Sequence, residues 1–304
     1  MTNISVVIPT CDRPMQLVAA LQSVLAQTAQ PKEIVIVDNG VMSVVPENLP
    51  CRVILERLPA ARVGVSRARN VGAEKAGSTY VAFLDDDDTW EPDYLEYMAS
   101  AIANAPQPPD LLLGRIDIVR GGKQQAWKYV GSARALMPKI LYGNPGVGGT
   151  NIVVRRQAFQ EIGGFDEAFI CSEDRALALE FWMSGAQIEC VSNAVAIASE
   201  IHGGPQLRGS AKLAAGRKQF IKKYRSLMVV DEWLAAHAQI LAIRARNNRV
   251  YWPLLKSLQG LRRLVARFPN NYKNMLTRYV RAGAPEMAPS RRPIGGCKQD
   301  INLH

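Results

Sequence analysis

The acidic run at residues 85–88 constrains the fold of this chain more than any other feature. Five apolar or aromatic residues, 80–84, end abruptly in four carboxylates, Asp85–Asp88. The preceding Gly77-Ser78 and the following Pro92 favour a short buried strand, although periodicity alone does not separate it from a piece of buried helix. In open α/β sheets, ligands gather where strand carboxyl ends meet loops. The run therefore predicts a ligand site, with a solvated acidic turn as the alternative.

The same four carboxylates predict a cofactor. Adjacent negative charges repel one another unless water or a cation offsets them. Hard oxygen ligands suit Mg²⁺ or Mn²⁺, and such ions usually bind together with substrate phosphates. We therefore expect Mn²⁺ or Mg²⁺ at this strand end.

The first hundred residues alternate between strand and helix patterns. Strands are predicted at 4–8, 34–37, 52–55 and 80–84, and helices at 17–25 and 64–76. This alternation predicts parallel βαβ units with right-handed crossovers. The predicted fold class is α/β, a Rossmann-like, mostly parallel sheet flanked by helices.

The pattern changes after residue 105. A hairpin is predicted over 111–130, and a glycine-rich loop at 144–150 leads into another strand. Ser172 is the predicted N-cap of a helix, with two acids in its first turn. Two short strands then lead to His202. From about residue 210 to residue 281 the pattern is helical, and the end of the chain, from 285, is predicted to be disordered.

Composition limits the class of protein. The chain has 304 residues, 48% of them hydrophobic, which suits one large domain with an appendage. No apolar run reaches membrane-spanning length, and we expect no secretory signal. The five cysteines are scattered without metal-ligand spacing and indicate reduced thiols. These features predict a cytoplasmic protein.

Charge divides the chain at residue 204. Residues 1–204 carry a net charge of −6, whereas residues 205–304 hold 20 Lys and Arg against 4 Asp and Glu, a net +16. We therefore predict an α/β domain at 1–204, a helical basic extension at 205–282 and a disordered tail at 283–304. Nucleic acid, anionic lipid and an anionic substrate all suit the basic part.

Acids follow three of the predicted strands, at Asp12, Asp38 and Asp85–Asp88. In a doubly wound sheet they lie along one crevice. A carboxylate at Asp38 can accept the N3–H of uracil or an equivalent nucleobase donor, and the alternative for Asp38-Asn39-Gly40 is a plain turn. Three arginines, Arg13, Arg67 and Arg69, can neutralise a diphosphate, and the alternative for the last two is a solvated helix face.

Six motifs in order carry a family resemblance over residues 3–204. They are Ser5-Val6-Val7-Ile8-Pro9-Thr10, Ile36-Val37-Asp38, Gly64-Val65-Ser66-Arg67-Ala68-Arg69-Asn70-Val71-Gly72, Asp85–Asp88, Gly163-Gly164-Phe165-Asp166 and Glu173-Asp174. Together they resemble a family 2 glycosyltransferase of the GT-A fold, of the type that builds bacterial surface polysaccharides. The resemblance implies a nucleotide-sugar donor, a divalent metal, inversion at the anomeric carbon, a nucleotide-binding half at 1–105 and an acceptor half at 106–204.

The resemblance also implies residue roles. Asp38 would hold the base, and Arg69 would approach the diphosphate. Asp85 and Asp87 would form the DxD pair, with Asp87 the better choice for direct metal contact. The predicted donor-binding set is Pro9, Thr10, Asp12, Arg13, Asp38, Arg69, Asp85 and Asp86, and the predicted metal ligands are Asp87, Asp85 and His202. The register within Asp85–Asp88 stays open by one residue, and Asn39-Gly40-Val41 replaces the family's frequent acids and Gly-Ser, which leaves the base open.

Glu173-Asp174 matches the family's acidic pair at a helix start. Single displacement needs a base that takes the acceptor hydroxyl proton as the nucleotide diphosphate leaves. The second member, Asp174, is the predicted base and Glu173 its catalytic neighbour, with N-terminal helix charge as the alternative. The predicted acceptor is a hydroxyl of a glycan or lipid-linked glycan.

Two other functions remain as alternatives. Asp85 and Asp87 also fit the Asp-x-Asp-x-Thr nucleophile motif of haloacid-dehalogenase-type phosphatases, although that motif normally follows the first strand of its chain. A non-catalytic nucleic-acid-binding protein would use the basic end, but the sequence shows no signature for specific nucleic-acid recognition.

The basic end predicts an amphipathic helix that Pro253 opens, with Trp252 near the boundary of its faces. One side carries Arg249, Lys256, Arg263 and Arg267, and the other carries Leu254, Leu258, Leu261, Val265 and Phe268. Such a helix lies in an anionic membrane interface or packs its apolar face on the catalytic domain. We expect salt-sensitive peripheral association with the cytoplasmic face of the inner membrane.

Overall fold

The computed structural model describes residues 3–41, 51–120, 122–127, 131–199 and 211–266. Within these residues one sheet contains nine strands in the order β3-β2-β1-β4-β8-β6-β9-β5, with β7 paired to β6. The strands are β1 (Ile4–Thr10), β2 (Glu33–Asp38), β3 (Val53–Arg57), β4 (Tyr80–Phe83), β5 (Thr89–Trp90), β6 (Leu111–Arg120), β7 (Lys123–Ala126), β8 (Ile152–Arg155) and β9 (Ile188–Ala198).

Helices cover the faces of the sheet. Most of the described helices lie between strands in the chain, and three follow the last strand. They are α1 (Pro14–Leu25), α2 (Val65–Lys75), α3 (Tyr94–Asn104), α4 (Ala133–Ile140), α5 (Arg156–Glu161), α6 (Glu173–Met183), α7 (Ala211–Tyr224), α8 (Val230–Asn247) and α9 (Trp252–Ala266). Among the described residues, no helix is both long enough and apolar enough to cross a bilayer.

Strand direction confirms the predicted fold class. β1 pairs in parallel with β2 and β4, and β2 pairs in parallel with β3. β8 runs against both β4 and β6, so β6 regains the direction of β4, and β9 is parallel to β6. β1, β2 and β4 are buried along their whole length, which explains why their sequences are continuous apolar runs rather than alternating ones.

Two local predictions need correction. Ser172 stands at the N-cap position of α6 with two acids in the first turn, as predicted, but it adopts a left-handed conformation with φ of 73° and forms no side-chain capping bond. Where two short strands were expected before residue 199, one strand, β9, continues from Ile188 to Ala198 through an irregularity opposite Gly114/Arg115 of β6. The irregularity is a shift in register between β6 and β9, and β9 continues across it.

The helices that follow residue 204 share a core with the sheet. Phe220 and Tyr224 of α7 and Ile240 of α8 belong to the same buried cluster as Val7 and Phe83 of the sheet. The division at residue 204 stays a prediction. The predicted tail, together with His202, Arg267 and Phe268, lies outside the described residues.

Candidate functional site

The carboxyl ends of β1, β2 and β4 meet at one edge of the sheet. Thr10, at the end of β1, stands opposite Asp38, at the end of β2. Phe83 ends β4 opposite Val7, so the acidic run begins beside the loop that follows β1. This is the crevice that the strand pattern predicts.

Asp86 joins the loops after β1 and β4. Its side chain is 7% exposed and accepts hydrogen bonds from the Thr10 hydroxyl at 2.8 Å and the backbone N–H of Cys11 at 3.4 Å. Nη1 of Arg13 lies 3.1 Å from Asp86 and 2.9 Å from Asp87. Burial raises the pKa of Asp86 to about 6, against the lowering effects of Thr10 and Arg13. Asp86 therefore positions the loops, whereas Asp87 is partly exposed to the cleft.

Asp12 and Asp38 shape the other wall of the cleft. Asp12 has φ of 56° and accepts hydrogen bonds from the backbone N–H of Val41 at 2.7 Å and the Arg62 guanidinium at 2.8 Å. Asp38 is buried, and its Oδ1 accepts the N–H of Gly40 at 2.8 Å. Asp38 therefore forms the turn that the sequence offers as its alternative role. The sequence does not predict the contact between Asp12 and Arg62, because this contact depends on the path of the chain after β3.

Arg69 links the acidic run to the acid pair of α6. Its side chain is 3% exposed, with Nη2 2.5 Å from Asp85 Oδ1 and Nη1 2.9 Å from Glu173 Oε1. The guanidinium also lies over the ring of Phe165, 5.1 Å from its centroid. Burial opposes the charge of Arg69, but Asp85 and Glu173 more than offset this, so its pKa stands above the usual value. The predicted metal-binding and catalytic acids thus share one buried cation.

Gly149 gives this cation its space. A Cβ built at Gly149 would overlap the Arg69 guanidinium and lie 2.9 Å from Asp85 Oδ1. The glycine-rich loop is therefore packed against Arg69 at this point, and the close contact explains why position 149 has no side chain.

Neighbouring charges of the acidic run contribute to the raised pKa values of Asp87 and Asp88. Burial raises the pKa of Asp87, and the charge of Asp85 raises it further. Burial, together with Asp85 and Asp87, raises the pKa of Asp88 well above its usual value, while the Ser199 N–H donates to Asp88 at 3.0 Å. Among the described residues, no three acidic, histidine or cysteine side chains are already grouped as ligands of a metal ion. The mutual repulsion fits a cation that takes only part of its oxygen ligands from Asp85 and Asp87.

Asp174 lies in the first turn of α6, beside Glu173. Its Oδ1 accepts a hydrogen bond from the backbone N–H of Arg175 at 2.7 Å. Burial and the adjacent charge of Glu173 raise the pKa of Asp174 to about 7, against the lowering effects of Arg175 and Arg69. A carboxylate with this pKa exchanges a proton readily near neutral pH, which is what a general base requires.

Helix α7 holds the segment that precedes Asp174, a role that the sequence did not reveal. Nε2 of Gln219 donates to the carbonyl oxygen of Ala168 at 2.6 Å, and its Oε1 accepts the N–H of Ile170 at 3.2 Å. Nζ of Lys223 lies 3.0 Å from Asp166 and 3.1 Å from Glu180 of α6. The position of a polar residue in an amphipathic helix does not indicate which other segment of the chain it will contact.

A cavity of about 490 Å³ lies between α8 and α9, lined by residues that include Ala235, Ala238 and Arg263. None of the candidate site residues lines it. The chemistry of the side chains, and not the size of a cavity, therefore identifies the candidate site.

Sequence comparison finds a match to the family model described as "Glycosyl transferase family 2" over residues 5–163, more than half of the chain. An uncharacterized glycosyltransferase of Bacillus subtilis, YwdF, is 30% identical over 54% of this chain. The amylovoran biosynthesis glycosyltransferase AmsB of Erwinia amylovora is 28% identical over 58%, and a glucosyl-dolichyl phosphate glucuronosyltransferase of Haloferax volcanii is 30% identical over 54%. The matches span 62%, 63% and 56% of these relatives' lengths.

Structure comparison gives the same fold. S. aureus TarS 1–349, solved in complex with UDP-GlcNAc, is similar with a TM-score of 0.56 and 19% identity, and the match covers 93% of each chain. GalNAc-T7, solved with UDP, GalNAc and Mn²⁺, is similar with a TM-score of 0.54 and 16% identity, over 75% of this chain and 50% of that one. At these identities the likeness shows the GT-A fold alone.

Proposed function

This chain belongs to glycosyl transferase family 2, and on that basis we propose that it is an inverting, metal-dependent enzyme that transfers a sugar from a UDP-sugar to a hydroxyl of a glycan or lipid-linked glycan. The observation that carries the proposal is the contact of Arg69 with both Asp85 and Glu173, because it holds the proposed donor-binding acids next to the proposed base. Family membership leaves the phosphatase and nucleic-acid alternatives without support.

The donor is proposed to lie along the carboxyl edge of β1, β2 and β4. Asp38 takes the base, and the loop from Pro9 to Arg13 lines the nucleotide pocket. Arg13, with 37% of its side chain exposed, is close enough to the cleft to meet a diphosphate oxygen. Arg69 acts behind Asp85, because both of its Nη atoms are already paired. UDP-GlcNAc in the TarS complex and UDP in the GalNAc-T7 complex support the choice of nucleotide.

The proposed metal is Mn²⁺ or Mg²⁺, which would take oxygen ligands from Asp87 and Asp85 and offset negative charge on the departing diphosphate. His202 remains a proposed ligand outside the described residues. The Mn²⁺ in the GalNAc-T7 complex supports the metal class.

The proposed reaction is a single displacement. The acceptor oxygen forms a bond to the anomeric carbon as the bond from that carbon to the diphosphate oxygen breaks, which inverts the configuration. Asp174 takes the hydroxyl proton as the oxygen attacks, and Glu173 keeps the first turn of α6 against Arg69. A raised pKa on Asp174 makes it a stronger base than an ordinary aspartate.

The acceptor is proposed to belong to cell-surface polysaccharide synthesis. The amylovoran enzyme supports a polysaccharide acceptor, and the dolichyl phosphate enzyme supports a lipid-linked one. A lipid-linked acceptor implies peripheral association with the cytoplasmic face of the inner membrane.

Calorimetric titration of UDP, with and without Mn²⁺, tests the donor site. We expect metal-dependent binding in the parent and at least about tenfold weaker binding in Asp87→Ala, since about 1.4 kcal/mol corresponds to that factor. Asp93→Ala is the matched control, because Asp93 is an exposed aspartate without a side-chain capping bond. Absence of binding for UDP, GDP and dTDP with metal would contradict the proposal.

A further inference from the structure

Helix α9 packs on the rest of the chain through only one side. Leu258 and Val265 contact a small cluster formed with Val230 and Leu234 of α8, and Leu255 is also buried. Nε of Arg262 lies 3.1 Å from Asp231 of α8. The apolar packing that the sequence offers as an alternative therefore occurs, but it uses only part of the apolar residues.

Large apolar side chains remain exposed on and just before this helix. Leu254 and Leu261 are 56% and 47% exposed, Trp252 is 47% exposed, and Val250 is 73% exposed. Leu254 and Leu261 are seven residues apart and therefore follow one line along the helix. Both belong to the apolar side, for which the sequence leaves open packing on the catalytic domain or a membrane interface, and neither of them is packed on the domain.

Lys256 and Arg263 form a second line on the exposed surface, with Trp252 one turn before Lys256. The strip between the cationic line and the leucine line holds positions 253, 257, 260 and 264. The residues of both lines, Lys256, Arg263, Leu254 and Leu261, are exposed. Lysine and arginine side chains can keep their charged ends among polar groups while their apolar stems lie along an apolar surface.

The electrostatic field around α9 is positive. Residues 211–266 contain 12 Lys and Arg but only two acids, Asp231 and Glu232. Asp231 pairs with Arg262, and Glu232 accepts the backbone N–H of Val229. Within the part of the chain that the structure describes, neither Lys256 nor Arg263 pairs with a carboxylate. An anionic partner is therefore favoured over a neutral one.

We propose that the exposed side of α9 docks on the surface of an anionic phospholipid bilayer. Lys256 and Arg263 meet headgroup phosphates, and Trp252, Leu254 and Leu261 enter the layer between headgroups and acyl chains. Nucleic acid would satisfy the cations but leaves the leucines in water. The inference deepens the proposed function by naming the surface that brings the enzyme to a lipid-linked acceptor, and it rests on that function only for this purpose.

Cosedimentation of the full chain with phosphatidylcholine vesicles, with and without phosphatidylglycerol, tests the docking. Lys256→Gln combined with Arg263→Gln should weaken binding to the anionic vesicles about 30-fold, which corresponds to about 1 kcal/mol for each cation. The charge-matched control is Lys32→Gln with Lys123→Gln, two exposed lysines of the sheet region, and it should bind within about twofold of the parent. Equal binding of the test variant and the control would overturn the proposal.

Two further arms separate the possible partners. Leu254→Ser with Leu261→Ser should weaken vesicle binding also at high salt, because it removes the apolar contribution. Binding that depends on the cations but not on the leucines, and that duplex DNA abolishes by competition, would replace the bilayer with nucleic acid. UDP titration of every variant keeps the two proposals distinguishable, since the docking variants leave the donor cleft unchanged.

Discussion

Asp174 differs from the acids of the run at 85–88 in the cations around it. Asp85 contacts Arg69, and Asp86 and Asp87 contact Arg13. Asp174 is different: within the described residues it forms no ion pair and accepts the N–H of Arg175. Burial raises the pKa of Asp86, which contacts Arg13, to about 6, and it raises the pKa of Asp174 to about 7.

This difference supports the separate tasks that we propose for similar side chains. A guanidinium group beside a carboxylate favours its ionised form, and ionised oxygens are what a divalent cation needs. A carboxylate in a poorly solvated place beside another acid holds a proton more tightly, which suits proton removal from a hydroxyl. The predictions below separate the two groups.

Asp174→Asn should lower kcat by about 10²- to 10⁴-fold, the usual contribution of a positioned base. UDP binding in the presence of Mn²⁺ should stay within about twofold of the parent, whereas Asp87→Ala should weaken it. Steady-state sugar transfer and calorimetry on the same preparations make the comparison. A rate near that of the parent in Asp174→Asn would remove Asp174 as the base.

Arg69→Met should destabilise the protein by about 3 kcal/mol, because it leaves Asp85 and Glu173 without their shared cation. The matched control is Arg67→Met on the same helix. Its side chain is 48% exposed and lies 3.5 Å from Glu167, so its loss should cost about 0.5 kcal/mol. Urea unfolding measures both values.

Gly149→Ala tests the same contact from the other side. Its new methyl group would displace the Arg69 guanidinium, so the variant should also be less stable than the parent. Unchanged stability in both Arg69→Met and Gly149→Ala would mean that Arg69 does not hold the two acidic groups together.

The pH dependence follows from the pKa of Asp174. The base works when ionised, so kcat should fall about tenfold for each pH unit below about 7. Glu173→Gln removes the neighbouring charge that raises this pKa and should move the midpoint to lower pH. A rate profile measured for parent and variant checks the shift, and a midpoint that stays in place or rises would contradict it.

The raised pKa of Asp174 also makes the stability of the protein depend on pH. Its contribution to stability falls as pH rises, whereas kcat increases. Because the pKa of Asp174 is higher in the folded state than in the unfolded chain, this residue favours folding below about pH 4, and that contribution is lost as pH rises through about 7. Asp174→Asn should therefore be more stable than the parent at pH 8, and the difference should disappear near pH 4. Thermal unfolding at the two pH values measures it.

The sequence predicts the strand ends because their cause is local. Continuous apolar runs such as Ile34–Val37 are buried on both faces, and each ends in residues that suit a loop. Asp38 and Asp85 therefore reach one edge of the sheet through topology alone. The role of Arg69 has no local cause, because its burial depends on Gly149, 80 residues later, and on Glu173, 104 residues later.

Helix α7 shows the same limit for the acceptor side. Its hydrophobic spacing predicts a helix, but nothing in the spacing indicates that Gly216 lies against Cys171, where a Cβ would overlap the sulfur. Gln219 and Lys223 then bind the segment from Asp166 to Ile170. The extension therefore supports the loop that leads to the proposed base.

Gln219→Ala should have the smallest effect. It removes two hydrogen bonds to the backbone of Ala168 and Ile170, at about 1 kcal/mol net or less for each. The loop before Asp174 becomes less well positioned, so kcat should fall severalfold while UDP binding stays unchanged. Lys222→Ala, an exposed neighbour on α7, should match the parent in both measurements. If UDP binding fell as much as kcat, α7 would instead support the donor site. The proposed division of roles between the acidic run and Asp174 would then be contradicted.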